Sequence, residues 1–233
     1  GSEMCIRDSL SIAALTNQTF TNFVSGQLTE AVIIGVPMGI LCAIFLARFC
    51  PDKLYKIVKP AVSLLAGIPS IVYGLFGYLF FNIFLEWSYT ILGGALTLAI
   101  MILPLIMRTT EEALIAVPDL YREGSFGLGA GKLRTVFRIV LPSAVPGILA
   151  GVILAVGRIV GETAALLYPA GTATKVADGL MSSGRTLAVH MYALLNEGLY
   201  MDQAYATAVV LLVVVIGINA LSGLIAKKVG VKD

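Results

Sequence analysis

Five apolar stretches, each near or above the length that carries a helix across a bilayer, dominate this chain. They run from about Leu28 to Phe49, about Ile57 to Leu85, about Thr90 to Met107, about Ser143 to Leu167 and about Ala204 to Ala226. A spanning helix needs about 20 predominantly apolar residues. In lipid every backbone polar group must find its partner inside the protein, which favours helices. Charged residues make up 13% of the 233, about half the share of a soluble domain. The expected fold is therefore all-α, a polytopic membrane helical bundle. The second stretch is long enough to tilt or to break at Pro69. Pro37, Gly67, Pro104 and Pro146 are further breakers, read either as tolerated kinks or as bends that line a path.

Residues 1–9 mix charge with no apolar period and are set aside as a non-native-looking leader; no cleavable signal pattern is visible. Residues 10–233 are expected to form one transmembrane domain. Cys5, Cys42 and Cys50 are odd in number and make no disulfide framework; they read as free thiols. A net charge of +2 is too small to suggest nucleic acid.

The placement of charge predicts orientation. Arg48, Lys53, Lys56 and Lys59 lie between or beside stretches one and two. Arg108, Arg122, Lys132, Arg134 and Arg138 separate three from four, and Lys227, Lys228 and Lys232 follow five. If the chain weaves regularly, these share one side, against Arg7, Lys175 and Arg185 on the other. Positive residues concentrate on the cytoplasmic side, so the N-terminus is expected outside and the C-terminus inside. Trp87 and Tyr89 fall in the outer turn, where interfacial aromatics belong.

The polar segment 108–142 is patterned. Thr109 and Glu112 have capping-box spacing and predict a short helix, restarted at Pro118 and Asp119 and broken by Gly127, Gly129 and Gly131. A second helix follows, with Leu133, Val136, Phe137, Val140 and Leu141 on one face and Lys132, Arg134, Thr135 and Arg138 on the other. Two readings stand: a helix–loop–helix that plugs a groove on a partner, or a helix lying on the membrane surface. Gly131-Lys132 is no phosphate-binding loop, because Phe126 replaces the required first glycine and Leu133 the hydroxyl residue. Gly127, Gly129 and Gly131 do not fit a dinucleotide fingerprint either.

Glu123-Gly124-Ser125, then Gly129, then Ile139-Val140-Leu141-Pro142 resembles the EAA loop of ABC importer permeases of the binding-protein-dependent (MetI-like) family. The departure is Gly124-Ser125 in place of two alanines, which keeps the residues small and lowers helix propensity. The resemblance extends to the PstA-type phosphate permeases. It is carried by Leu65–Gly74, by Gly157-Arg158-Ile159-Val160-Gly161-Glu162-Thr163, and by the stretch from Gly184-Arg185-Thr186-Leu187 to Asn219; it covers about Val24 to Lys228.

What the resemblance implies is a permease subunit of an ATP-driven phosphate importer in the bacterial or archaeal plasma membrane. Glu123, Gly124, Ser125, Gly129, Ile139, Leu141 and Pro142 would then dock a separate ATPase. Implied partners are a second, PstC-like permease subunit, a PstB-like ATPase dimer and an extracellular or periplasmic PstS-like phosphate-binding protein. The chain itself would hydrolyse no ATP and hold no cofactor or metal. The family has six spans against five here, so an N-terminal span is expected to be missing. Molybdate, sulfate or phosphonate as substrate, or the PstC-type role, remain alternatives.

Arg158 and Glu162 are expected to share a face of the fourth span, four residues apart. Arg158 would lie about 22 Å along it from Ser143 at about 1.5 Å per residue. A charge at that depth costs at least ~2.5 kcal/mol and marks a functional site by default. The pair either neutralises itself or lets Arg158 attract an oxyanion while Glu162 reads its proton. Thr163, Ser70 and Tyr73 are candidate path residues, the last two also readable as backbone partners near Pro69. Arg185 is either part of an outer vestibule or a solvated loop charge, and His190 is a lone polar residue. A proton-coupled carrier using Glu162 and a non-transporting scaffold are the competing classes; the EAA-type loop opposes the first.

Overall fold

The computed structural model describes residues 27–172, 179–198 and 201–230. Residues 1–9, with Cys5 and Arg7, lie outside them, as do Val24, Lys175, Lys232 and the side chains of Lys227 and Lys228. Among the described residues every regular element is a helix. They are α1 Thr29–Arg48, α2 Asp52–Ala66, α3 Ser70–Phe84 with π-helical last turns, and α4 Ile91–Ile115. Then follow α5 Asp119–Gly127, α6 Lys132–Val160, α7 Leu187–Glu197 and α8 Met201–Gly230. Helices α1, α4, α6 and α8 are each long and apolar enough to span a membrane.

The hub is α4, which is apolar on nearly every face and correspondingly buried: Leu98, Ile102, Ile106 and Leu114 are fully enclosed. Helix α1 closes on it through a stripe of small residues. Ala31, Gly35, Gly39 and Ala43 repeat every four positions and are all buried. A Cβ on Gly35 would stand 2.9 Å from Ile102 Cδ1, and one on Gly39 would stand 2.8 Å from Ile106 Cγ2. Glycine here lets two backbones approach closely, which is how helices associate when lipid removes the hydrophobic drive. Helix α6 packs on another side of α4 with Gly147 over Ala113 and Gly151 over Thr109.

One element boundary takes one of the two courses the sequence allowed, and two differ from the expectation. The second apolar stretch is two helices bent by 97° at the Gly67–Pro69 break, the second of the two outcomes its length allowed. Pro69 starts α3, where its missing N–H removes no helical bond. Helix α2 buries none of its residues and is held to α4 by charge: Lys59 Nζ lies 3.0 Å from Glu111 Oε1, and Tyr55 donates to the same oxygen at 2.5 Å.

Next, the expected capping box at Thr109 and Glu112 does not exist. Helix α4 runs through both positions to Ile115. Thr109 Oγ1 donates back to Leu105 O at 3.0 Å, and Glu112 pairs with Arg108 one turn earlier, so both polar side chains are satisfied without ending the helix.

Finally, the fourth span starts earlier and ends earlier than expected, at Lys132 and Val160 instead of about Ser143 and Leu167. The predicted amphipathic helix and the span are one continuous helix. A π-helical turn, Val136–Val140, sits just ahead of Pro142, which has no N–H to give the ladder. The turn also moves the buried face. Thr135, expected on the polar side, is buried and its hydroxyl bonds that of Ser125 at 2.9 Å. Leu133 and Phe137 of the expected apolar face stay 63% and 45% exposed.

Candidate functional site

Helix α6 ends because Gly161 follows Val160 and Glu162 starts a new turn. Glu162 Oε1 accepts the Ala165 backbone N–H at 3.2 Å, and the Thr163 carbonyl accepts from Leu166 and Leu167. The carboxylate thus acts as a cap on segment 161–170. This corrects the expected geometry: Arg158 is on the last turn of α6, Glu162 is beyond its end, and four residues of spacing do not put them on one helical face. No ion pair joins them among the described residues.

The segment beyond α6 is folded over the head of α4. Thr90 N–H donates to Pro169 O at 3.2 Å, Ile91 N–H to Ser182 O at 3.0 Å and Leu92 N–H to Leu180 O at 3.0 Å. These carbonyls satisfy N–H groups that a helix start leaves free. Gly171, at φ +81°, passes under Tyr89, where any L side chain would be strained and a Cβ would meet Tyr89 Cβ at 2.9 Å.

Arg158 itself is exposed and, among the described residues, has neither ion pair nor hydrogen bond. It faces a cavity of about 600 Å³ where three spanning helices meet. Leu105 of α4, Ala150, Ile153, Leu154 and Gly157 of α6, and Asn219 of α8 complete the wall. The guanidinium, unpaired among the described residues, shares this hollow between spans with one other polar side chain, the Asn219 amide; the rest of the wall is apolar or glycine. Tyr73 lies on α3. It is buried, and its hydroxyl donates to Leu65 O at 2.9 Å, so it serves the backbone beside the Pro69 break. Ser70 is half-buried at the start of α3, and neither residue lines the cavity. Asn219 lines the cavity without having been a candidate from spacing or motif; its signal in the sequence is a lone amide inside an apolar run.

A second region lies at the opposite end of α6. Helices α5 and the start of α6 form a hairpin whose turn needs Gly129 at φ +80°. Their groove, about 530 Å³, is lined by Tyr121, Gly124, Ser125, Leu128, Arg134 and Arg138 among others. Leu120 is 76% and Leu128 91% exposed, an apolar patch on a basic hairpin. Glu123 and Pro142 are exposed, and Ile139 and Leu141 are half-buried. A Cβ on Gly124 would meet nothing within 4 Å, so the departure from Glu-Ala-Ala leaves room for the alanine.

Near the head of α4, Arg185 is 7% exposed and its Nε has no partner; it is not the solvated loop charge that one sequence reading allowed. Gln27 Nε2 donates to the preceding Gly184 carbonyl at 3.2 Å. His190 is buried one turn into α7, outside the spanning helices. Burial first, and then the Arg185 charge, push its pKa down to about 4, so it is neutral near pH 7. Among the described residues no three His, Cys, Asp or Glu converge to hold a metal.

A family model described as "Binding-protein-dependent transport system inner membrane component" matches residues 35–231. The probable ABC transporter permease protein YqgI of Bacillus subtilis (strain 168) is 35% identical over 202 residues, covering 81% of this chain and 68% of that protein. The phosphate transport system permease protein PstA of Mycobacterium leprae (strain TN) is 35% identical over 203 residues, covering 83% of this chain and 66% of that protein. The chain thus spans about two thirds of the length of these relatives. Among solved structures, an inward-facing MetNI methionine ABC transporter superposes with a TM-score of 0.70 at 21% identity, covering 94% of this chain and 95% of that one; at that identity the likeness is one of fold.

Proposed function

Given that the chain belongs to the family of binding-protein-dependent transport system inner membrane components, we propose that it is the permease subunit of an ATP-driven phosphate importer and forms half of the anion path. The observation that carries this reading is Arg158: a guanidinium with no partner among the described residues, facing a largely apolar cavity between three spans. Arginine's planar fork suits an oxyanion. The exposure of Arg158 in the single chain fits a path that a second permease subunit closes from the other side. Partly similar relatives named as phosphate permeases support the substrate.

The α5–α6 hairpin is the part that docks the ATPase dimer. Its exposed Leu120 and Leu128 suit insertion into an apolar groove, and its continuity with α6 links the dock to the turn that carries Arg158. A binding protein delivers phosphate from outside. The positive residues put the hairpin and the C-terminus in the cytoplasm, and hydrolysis takes place on the separate ATPase. Thr163 and Glu162 shape the turn at the outer end of the path.

The test is phosphate uptake by the assembled importer. Arg158→Gln should abolish uptake while the subunits still co-purify; uptake at the unaltered rate would overturn the reading.

A further inference from the structure

The cavity presents two polar side chains, Arg158 and Asn219; the rest of its wall is apolar or glycine. Arginine brings donors only. A protonated oxyanion also offers a donor of its own, and that proton needs an acceptor. Glu162 does not supply it, because its carboxylate is turned to the Ala165 N–H and it does not line the cavity. Asn219 does line it. Its amide carries a carbonyl acceptor and an NH2 donor with no net charge, so it can accept the anion's proton without repelling the anion.

The neighbouring backbone makes room for this amide. A Cβ on Gly157 would stand 3.0 Å from Asn219 Oδ1, so a glycine one residue before Arg158 lets the amide sit beside the guanidinium's helix. Asn219 is exposed and holds no hydrogen bond among the described residues. Its amide is therefore unclaimed among the described residues, within the apolar run 208–221.

We propose that Asn219 is a specificity-determining residue, which accepts the hydrogen bond of the protonated oxyanion that Arg158 holds. The proposal rests on the phosphate reading above. A fully ionised oxyanion of the same shape has no proton to give, so it could bond the amide only through the NH2 group and would leave the Oδ1 acceptor beside Gly157 unpaired. A site built to bond a hydroxyl discriminates strongly against an analogue that lacks it.

The test uses the complete importer, with both permease subunits, ATPase and binding protein, in proteoliposomes. Phosphate uptake is followed from mildly acid to mildly alkaline pH. Asn219→Leu should lower uptake by about tenfold, the scale of one lost hydrogen bond to a charged group. Asn219→Asp keeps the shape but adds a charge where the anion sits, so its uptake should persist only toward the acid end. Gly157→Ala should imitate Asn219→Leu in part by displacing the amide, and should add nothing in the Asn219→Leu background. A structural role for Asn219 would leave the pH profile of the isosteric variant unmoved. Unaltered rate and profile in Asn219→Asp, with Arg158→Gln inactive, would overturn the Asn219 proposal alone. Unaltered uptake in Arg158→Gln would overturn the anion path itself.

Discussion

Glu162 gives its carboxylate to the backbone N–H of Ala165, 3.2 Å away, and so closes the turn that ends the helix carrying Arg158. The two charges are neighbours in sequence with separate duties, one capping backbone and one facing a cavity.

It follows that exchanging the charges should rescue nothing. Arg158→Glu and Glu162→Arg are each expected to lower phosphate uptake, and the double exchange should lower it at least as far as the worse single change. An ion pair would give partial recovery in the double variant. Glu162→Gln, whose side-chain carbonyl can still accept the Ala165 N–H, should assemble with its partners normally; the carboxylate-to-amide change costs the cap well under the ~1 kcal/mol of losing it outright. Uptake rates and co-purification measured together separate these outcomes.

Packing of α1 on α4 is expected to be the most sensitive non-polar contact in the chain. A leucine at Gly39 would drive atoms into Ile106, whose side chain is fully enclosed. Gly39→Leu should lower stability by about 1–3 kcal/mol, the range for overpacking. Gly217→Ala on α8, where a Cβ meets nothing within 4 Å, should be neutral or slightly stabilising through helix propensity. Thermal unfolding in detergent of the two variants against the parent checks the contrast; equal midpoints for Gly39→Leu and the parent would refute close α1–α4 packing.

His190 makes stability depend on acid. Its pKa is about 4 in the fold, against an ordinary value of 6.5. The unfolded chain therefore binds a proton that the folded chain refuses as pH falls from about 6.5 to about 4. Stability from this residue is intact above 6.5 and drains away across that interval, levelling below it. Replacing His190 with Gln should flatten this part of the pH–stability curve and leave the unfolding midpoint at pH 7.5 closer to the parent's than at pH 5. Parallel curves for parent and variant would show that His190 does not titrate differently on unfolding.

Read from the residues, the apolar runs, the charge asymmetry and the EAA-type spacing were enough to expect a helical membrane bundle with a helical hairpin at one end. Hydrophobicity accumulates along about 20 residues, so single misjudged positions do not matter. The small-residue stripe Ala31, Gly35, Gly39 and Ala43 was equally open to inspection and went unread, because a four-residue repeat of small side chains acquires meaning only against a facing helix.

What the chain by itself determined was composition-scale: which segments enter lipid, which stay out, and that Arg158 is a charge set in an apolar run, the first place to look for a site. What only the tertiary structure decided was where each helix ends and what each polar group faces. Those outcomes turn on contacts of one hydrogen bond or one methyl. Glu162 chose a backbone N–H over a guanidinium, Thr109 bonded back to Leu105 instead of capping, and Asn219 came level with Gly157 from a helix far along the chain. Such choices are settled by atoms brought within a few ångströms of each other from distant positions, and local spacing carries no information about them.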